Sequence, residues 1–181
     1  MSNVKCESMY DIYSNNTDDS WRYALGKSGS RTLLTVGLNP STATKEKSDT
    51  TVAKVEGVAS RNAFNGFTML NLYPVRSTDY NALPIAVDVA AFNENLDQIE
   101  SLIASSKNSI IWAAWGDSIF ARTYFIESVR QLIVRLEKHN VSWCHFGSLT
   151  AKGQPRHPSR LSYDWSFSPL DLGAYAKMLG T

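Results

Sequence analysis

Cysteine is scarce in this chain: 181 residues contain only Cys6 and Cys144. Two thiols so far apart build no disulfide framework, and no Cys/His cluster has the spacing of a metal site. No apolar run approaches the roughly 20 residues that a membrane-spanning helix needs. The opening residues, MSNVKCESMYDIYSNN, lack the basic-then-apolar layout of a secretory signal, so the cytoplasm is the expected compartment. A strong charge of either sign is also missing. The formal net charge is +1, whereas a domain whose sole task is gripping nucleic acid carries a basic excess. Internal repeats and low-complexity tracts are absent, and no cofactor, metal or membrane partner is expected.

What is present is the balance of a globular protein, 43% hydrophobic and 19% charged, in a chain long enough for one domain over 1–181 with a substantial core. Residues 1–20 lack periodicity and are expected to form a flexible N-terminal segment. Trp21 to Leu25 reads as a short edge strand, joined in a hairpin to the apolar run Leu33–Val36 through Gly26-Lys27-Ser28-Gly29-Ser30. Val52, Val55 and Val58-Ala59 recur at helical spacing, and Phe67 to Pro74 reads as the next strand, which makes a parallel βαβ unit. A helix is expected from Val87 through Ser105, then the most apolar strand, Ser109 to Gly116. Asp117 is placed to cap a helix running from about Ser118 to His139. Val141–Phe146 reads as a fourth strand, Gly147 to Tyr163 as a long polar loop, and Asp171 to Leu179 as a short helix. The expected fold class is α/β, a three-layer αβα sandwich around a mainly parallel, four-stranded central sheet.

Three strands stop at polar breaks: Gly37-Leu38-Asn39-Pro40, Asn71-Leu72-Tyr73-Pro74 and Trp115-Gly116-Asp117. In a parallel sheet these breaks share one edge, where ligands of open α/β sheets bind. Asn39 is either a turn former beside Pro40 or a group that orients water through its carbonyl. His157 is either a surface loop residue or a donor to a developing anion. Asn71, polar at the end of an apolar strand, either clamps a neighbouring loop or presents donor and acceptor to a nucleobase edge. Asp49, with Thr50 and Thr51, suits a helix cap. Trp112 and Trp115 are core residues or base-stacking rings. Lys152, Arg156 and Arg160 are solvated surface or phosphate contacts.

The order of these motifs resembles the uracil-DNA glycosylase superfamily. Gly37-Leu38-Asn39-Pro40-Ser41 is similar to the first motif of the mismatch-specific branch, Gly-Ile-Asn-Pro-Gly, and His157-Pro158-Ser159-Arg160-Leu161-Ser162 to the second motif of the uracil-specific branch, His-Pro-Ser-Pro-Leu-Ser. Leu70-Asn71 and the strand ending at Trp115-Gly116 follow the same order. The resemblance implies that Asn39 positions the attacking water, that His157 stabilises the departing base, and that Asn71 reads its edge. It also implies that Leu161 wedges into the duplex, with the first-motif residues, Trp115 and Ser159 lining the substrate. A longer similarity ties Trp21-Arg22-Tyr23, Leu38 to Ala43 with Asp49 and Thr51, Asn71-Leu72, Ala113 to Gly116 and Gly153 to Pro158 to the family called domain of unknown function 1643. Where the uracil-specific enzymes carry Asp and Tyr, this chain has Asn39 and Ser41. An amide does not serve as a general base. The expected function is N-glycosidic bond hydrolysis on a nucleobase in DNA or a nucleotide. The alternative is a non-catalytic nucleic-acid or nucleotide-binding module of the same fold.

Overall fold

Leu33 packs on one side of its strand while Leu34 and Val36 pack on the other. A strand buried on both faces belongs in the interior of a sheet covered on both sides. The computed structural model describes residues 8–106 and 109–180. In chain order the elements are β1 (Ile12–Asn15), β2 (Arg22–Lys27), β3 (Thr32–Gly37), α1 (Thr50–Arg61), β4 (Gly66–Asn71), α2 (Val89–Ala104), β5 (Ser109–Ala113), α3 (Thr123–Leu136), β6 (Val141–Phe146), β7 (Phe167–Pro169) and α4 (Leu172–Met178). Short 3-10 turns lie at Tyr80–Ala82, Asp117–Ala121 and Pro158–Arg160.

The fold is mixed α/β, and its sheet is larger than the four strands expected. Seven strands lie in the order β1-β2-β4-β3-β5-β6-β7. The pairs β4/β3, β3/β5 and β5/β6 are parallel, and β1/β2, β2/β4 and β6/β7 are antiparallel. Valines 52, 55 and 58 of α1 pack on one face with Phe67, Met69 and Trp112. On the other face α2, α3 and α4 bring Leu96, Ile99, Phe125, Leu132 and Tyr175 against Leu34, Leu70 and Ile111. Among the described residues no helix is long and apolar enough to cross a membrane.

Three expectations need correction. The hairpin between Trp21–Leu25 and Leu33–Val36 does not form, because β4 lies between β2 and β3. The connecting turn instead crosses the start of β4: Arg31 N–H donates to Asn65 Oδ1 at 2.8 Å, and Asn65 N–H donates to Arg31 O at 3.1 Å. A side chain on Gly26 would overlap the Phe67 carbonyl, so glycine is what lets β2 close on β4. The N-terminal segment is built in from Ser8 onward. Tyr10 is fully buried against Phe67, and β1 covers the outer edge of β2; residues 1–7 of the expected flexible segment lie outside the described residues. The helix expected from Ser118 to His139 breaks at Arg122, which is extended (φ −144°, ψ 139°). Its guanidinium donates to the carbonyls of Asn81, Leu83 and Pro84, bonds that a residue inside a continuous helix would not reach. Strand β7, short and ending in Pro169, carries too little pattern to be seen in the sequence.

Candidate functional site

The three parallel strands β3, β4 and β5 end together, with Gly37 opposite Asn71 and Val36 opposite Ala113. The chain then turns away at each end, and a cavity of about 530 Å³ opens above the sheet edge. Asn39, Asn71 and His157, which come from three separate breaks, all line it. So do Leu38, Ser41, Trp115, Arg156, Ser159 and Arg160.

Asn71 forms part of the floor. It is 1% exposed, and among the described residues neither its side-chain nitrogen nor its oxygen has a hydrogen-bond partner. Its backbone carbonyl is occupied, accepting from Asn95 Nδ2 at 2.9 Å. Leaving a buried carboxamide unpaired costs about 1–3 kcal/mol. The folded chain therefore holds an adjacent donor and acceptor ready at the base of a cavity. The loop-clamp reading of Asn71 does not apply to the side chain.

Asn39 divides its amide. Nδ2 donates to Ser77 O at 3.0 Å and to Pro40 O at 3.1 Å, pinning the first loop to the segment after β4. Oδ1 accepts no hydrogen bond from the described residues, which leaves the acceptor for a ligand or water. Pro40 does not line the cavity; its carbonyl also receives Ser77 N–H at 2.9 Å. Asp49 caps α1 as expected, accepting from Val52 N–H at 2.9 Å. Its second oxygen accepts from Ala43 N–H at 3.1 Å. A carboxylate held by two N–H groups is a structural anchor, and it adds negative charge to the cavity wall.

His157 comes from the long loop, which is held against the end of β5. Gly116 N–H donates to Pro155 O at 2.9 Å, and Gly116 adopts φ +72° with ψ −177°. A Cβ at Gly116 would sit 3.0 Å from His157 Cβ, so this glycine is what admits the histidine. The imidazole is half-buried, and its Nδ1 accepts from Ser159 N–H at 3.3 Å while meeting Ser159 Oγ at 2.9 Å. That bonding assigns the ring proton of the neutral form to Nε2. Burial pushes the pKa of His157 down to about 4; Asp49 pulls it up, and Arg160 adds to the lowering. At neutral pH the group is an uncharged N–H donor.

The wall on the other side is tied to the C-terminal helix. The Trp115 indole N–H donates to Tyr175 Oη at 2.9 Å, and Tyr175 O–H donates to fully buried Gln154 at 2.5 Å. Trp115 is 1% exposed and packs as core, the first of the two alternatives, and it closes one side of the cavity that it lines. Trp112 is core as well, against Phe146 and Phe167.

Other expected residues separate. Leu161 is 7% exposed and packs with the α1 face of the core, so it does not project as a wedge. It is held there because Tyr163, two residues on, is clamped between the Lys54 ammonium and the Arg61 guanidinium of α1. Gly37 lies beneath the floor and outside the lining. Lys152 is exposed beside Phe120 and does not reach the cavity. Arg156 lines it but braces its own loop, donating to Ser148 O at 2.8 Å and stacking over Trp165. Arg160 stands at the exposed rim.

Sequence reasoning missed several lining residues, among them Arg22, Ser77, Tyr80, Asp117 and Thr150. Arg22 carried a signal: an arginine between Trp21 and Tyr23 at the start of an apolar strand needs a partner once buried. Asp117 and Thr150 bond each other at 2.6 Å across the cavity mouth, a pairing between distant loops that no local pattern encodes. Among the described residues no three His, Cys, Asp or Glu side chains gather as a metal-binding group. The arrangement therefore offers an amide edge, one free amide oxygen, one neutral imidazole N–H and cationic groups.

Comparison with curated proteins and with solved structures found no significant match to this chain. A family model, described as a protein of unknown function (DUF1643), matches residues 22–159. That span runs from the buried arginine of β2 to the serine beside His157 and takes in the cavity's breaks. The chain belongs to the DUF1643 family.

Proposed function

We propose that the protein binds a nucleobase in this cavity, in DNA or in a nucleotide, and hydrolyses its N-glycosidic bond, with a fold related to that of the uracil-DNA glycosylases. The observation that carries the reading is the unpartnered, buried carboxamide of Asn71 in one cavity with Asn39 and His157. Asn71 reads the edge of the base. The bond between the sugar carbon and the base nitrogen breaks with its electron pair leaving on the base, which the Nε2–H of His157 stabilises as a neutral donor. Water, held through Asn39 Oδ1, adds its oxygen to the sugar carbon; its released proton goes to solvent or to the departed base. Asn39 orients this water without deprotonating it, so departure of the base leads. For a base in a duplex, flipping costs a few kcal/mol, recovered from contacts in the cavity. Duplexes bearing uracil, hypoxanthine or mismatched thymine test the reading by release of abasic product, which His157→Ala and Asn39→Ala should suppress. No abasic product from any substrate in the panel would sink it for DNA.

One observation favours a second reading, a binding module of the same fold without catalysis. Among the described residues the carboxylate that acts on His157 is Asp49, and its two oxygens are taken up by backbone N–H groups. Salt-dependent oligonucleotide binding that survives His157→Ala, with no product from the unmutated protein, would select this reading.

A further inference from the structure

The cavity contains a second buried polar group that the reading above leaves idle. Arg22 lines it from β2, is 2% exposed, and has an unpartnered Nε. Among the described residues the one hydrogen bond of its guanidinium runs from Nη1 to Ala43 O at 2.9 Å. Arg76 donates to the same oxygen at 3.0 Å, so two guanidinium groups converge on one carbonyl. Arg76 has Asp19 at 3.7 Å to offset it, whereas no acidic side chain among the described residues pairs with Arg22. Asp49 acts on Arg22 only through space, its oxygens being engaged by Val52 and Ala43. Burying a cation is costly unless an anion accompanies it. Burial and the neighbouring Arg76 already draw its pKa down to about 10, a sign of how little negative charge is supplied from within.

We infer that Arg22 is an anion-binding residue of this cavity, and that the ligand presents to it a negatively charged oxygen next to a planar heterocycle. The heterocycle rests on the nucleobase reading; the anion does not. Two sources supply such an oxygen: the phosphate of a nucleotide, or the oxygen of a base that is itself ionised. In either case the guanidinium provides the full positive charge that a neutral His157 lacks. Arg22 thereby becomes a determinant of which ligands enter, and Asn71 of how they are oriented.

Binding measured by calorimetry separates these contributions. The probes are deoxyuridine and deoxyinosine, their 5′-monophosphates, inorganic phosphate, and xanthine below and above its first ring N–H ionisation. The anionic member of at least one pair, monophosphate over nucleoside or ionised over neutral xanthine, should bind roughly tenfold tighter, the factor one charge-assisted hydrogen bond supplies. Which pair shows it identifies the source. Arg22→Met should abolish the difference, and Arg22→Lys should keep part of it. Methionine keeps the unbranched stem without the buried charge, so R22M should melt no lower than the unmutated protein; if it does melt lower, the retention by R22K and its loss in Arg22→Gln decide. Asn71→Leu should weaken every base-bearing probe and leave phosphate alone. Equal binding of charged and neutral probes, no binding of any anion, or a preference that survives R22M would overturn the assignment. Phosphate binding that depends on Arg22, with no added affinity from any base, would uphold the anion site and remove the nucleobase reading instead.

Discussion

Gly37 and Asn71 face each other in register across β3 and β4, and a Cβ on Gly37 would stand 3.1 Å from Asn71 Oδ1. The missing side chain leaves the carboxamide its place beneath the cavity. It also means that the carboxamide, without a partner among the described residues, is left to a ligand or water in the cavity.

Substituting that residue should therefore improve the free fold while ending its use. Asn71→Leu removes two unsatisfied buried atoms, and the expected gain in unfolding free energy is about 1–3 kcal/mol. Binding of base-bearing ligands should vanish in the same variant. Urea unfolding of the ligand-free protein provides the check. A clear loss of stability would mean that the carboxamide is satisfied within the fold.

Gly116 should tolerate no other residue without disturbing His157. Its φ of +72° with ψ near 180° lies in a region essentially reserved for glycine, and the Cβ of an alanine would press on the histidine's own Cβ. Gly116→Ala should cost about 1–3 kcal/mol. The loop carrying His157 should also shift, altering ligand affinity. Thermal unfolding alongside the histidine's NMR signals tests both parts. Unchanged imidazole shifts would contradict the account.

The titration of His157 predicts a pH window. Its folded pKa of about 4 lies below the ordinary value of about 6.5. Above that ordinary value the ring is neutral folded or unfolded and contributes no slope. As pH falls toward about 4, the unfolded chain takes up a proton that the folded chain refuses, so stability drops. Below it both states are charged and the loss levels off. His157→Gln should flatten this part of the stability curve relative to the unmutated protein. Identical slopes for the two proteins would show that the imidazole is not held neutral by the fold.

The parts of the molecule legible in the sequence are those governed by local chemistry. Asp49 caps its helix as expected, because a carboxylate answers free N–H groups within its own turn; Asp88 and Asp171 do the same where no cap is expected, and Asp117, expected to cap, lies inside a 3-10 turn and caps nothing. The apolar runs ending at Gly37, Asn71 and Ala113 carried their polar breaks with them, and the parallel pairing brought those breaks to one cavity. What stayed hidden depends on contacts between distant segments. Nothing near Trp21–Leu25 says that β4 will slip between it and β3. Leu161 reads as an exposed apolar tip until the clamp on Tyr163 turns it inward. Arg122 looks helical until three carbonyls from the loop after β4 claim its guanidinium.

The bond from Trp115 to Tyr175, with Gln154 locked beneath it, sets an order of assembly. Asn39, Asn71 and Trp115 have all left the ribosome while the residues that secure the His157 loop are still being added. The pocket floor can form during synthesis, but its far wall waits for α4. A released chain truncated before Tyr175 should then carry an open groove in place of a closed cavity, a difference that limited proteolysis of the truncated protein would register within the segment from Gly147 to Tyr163.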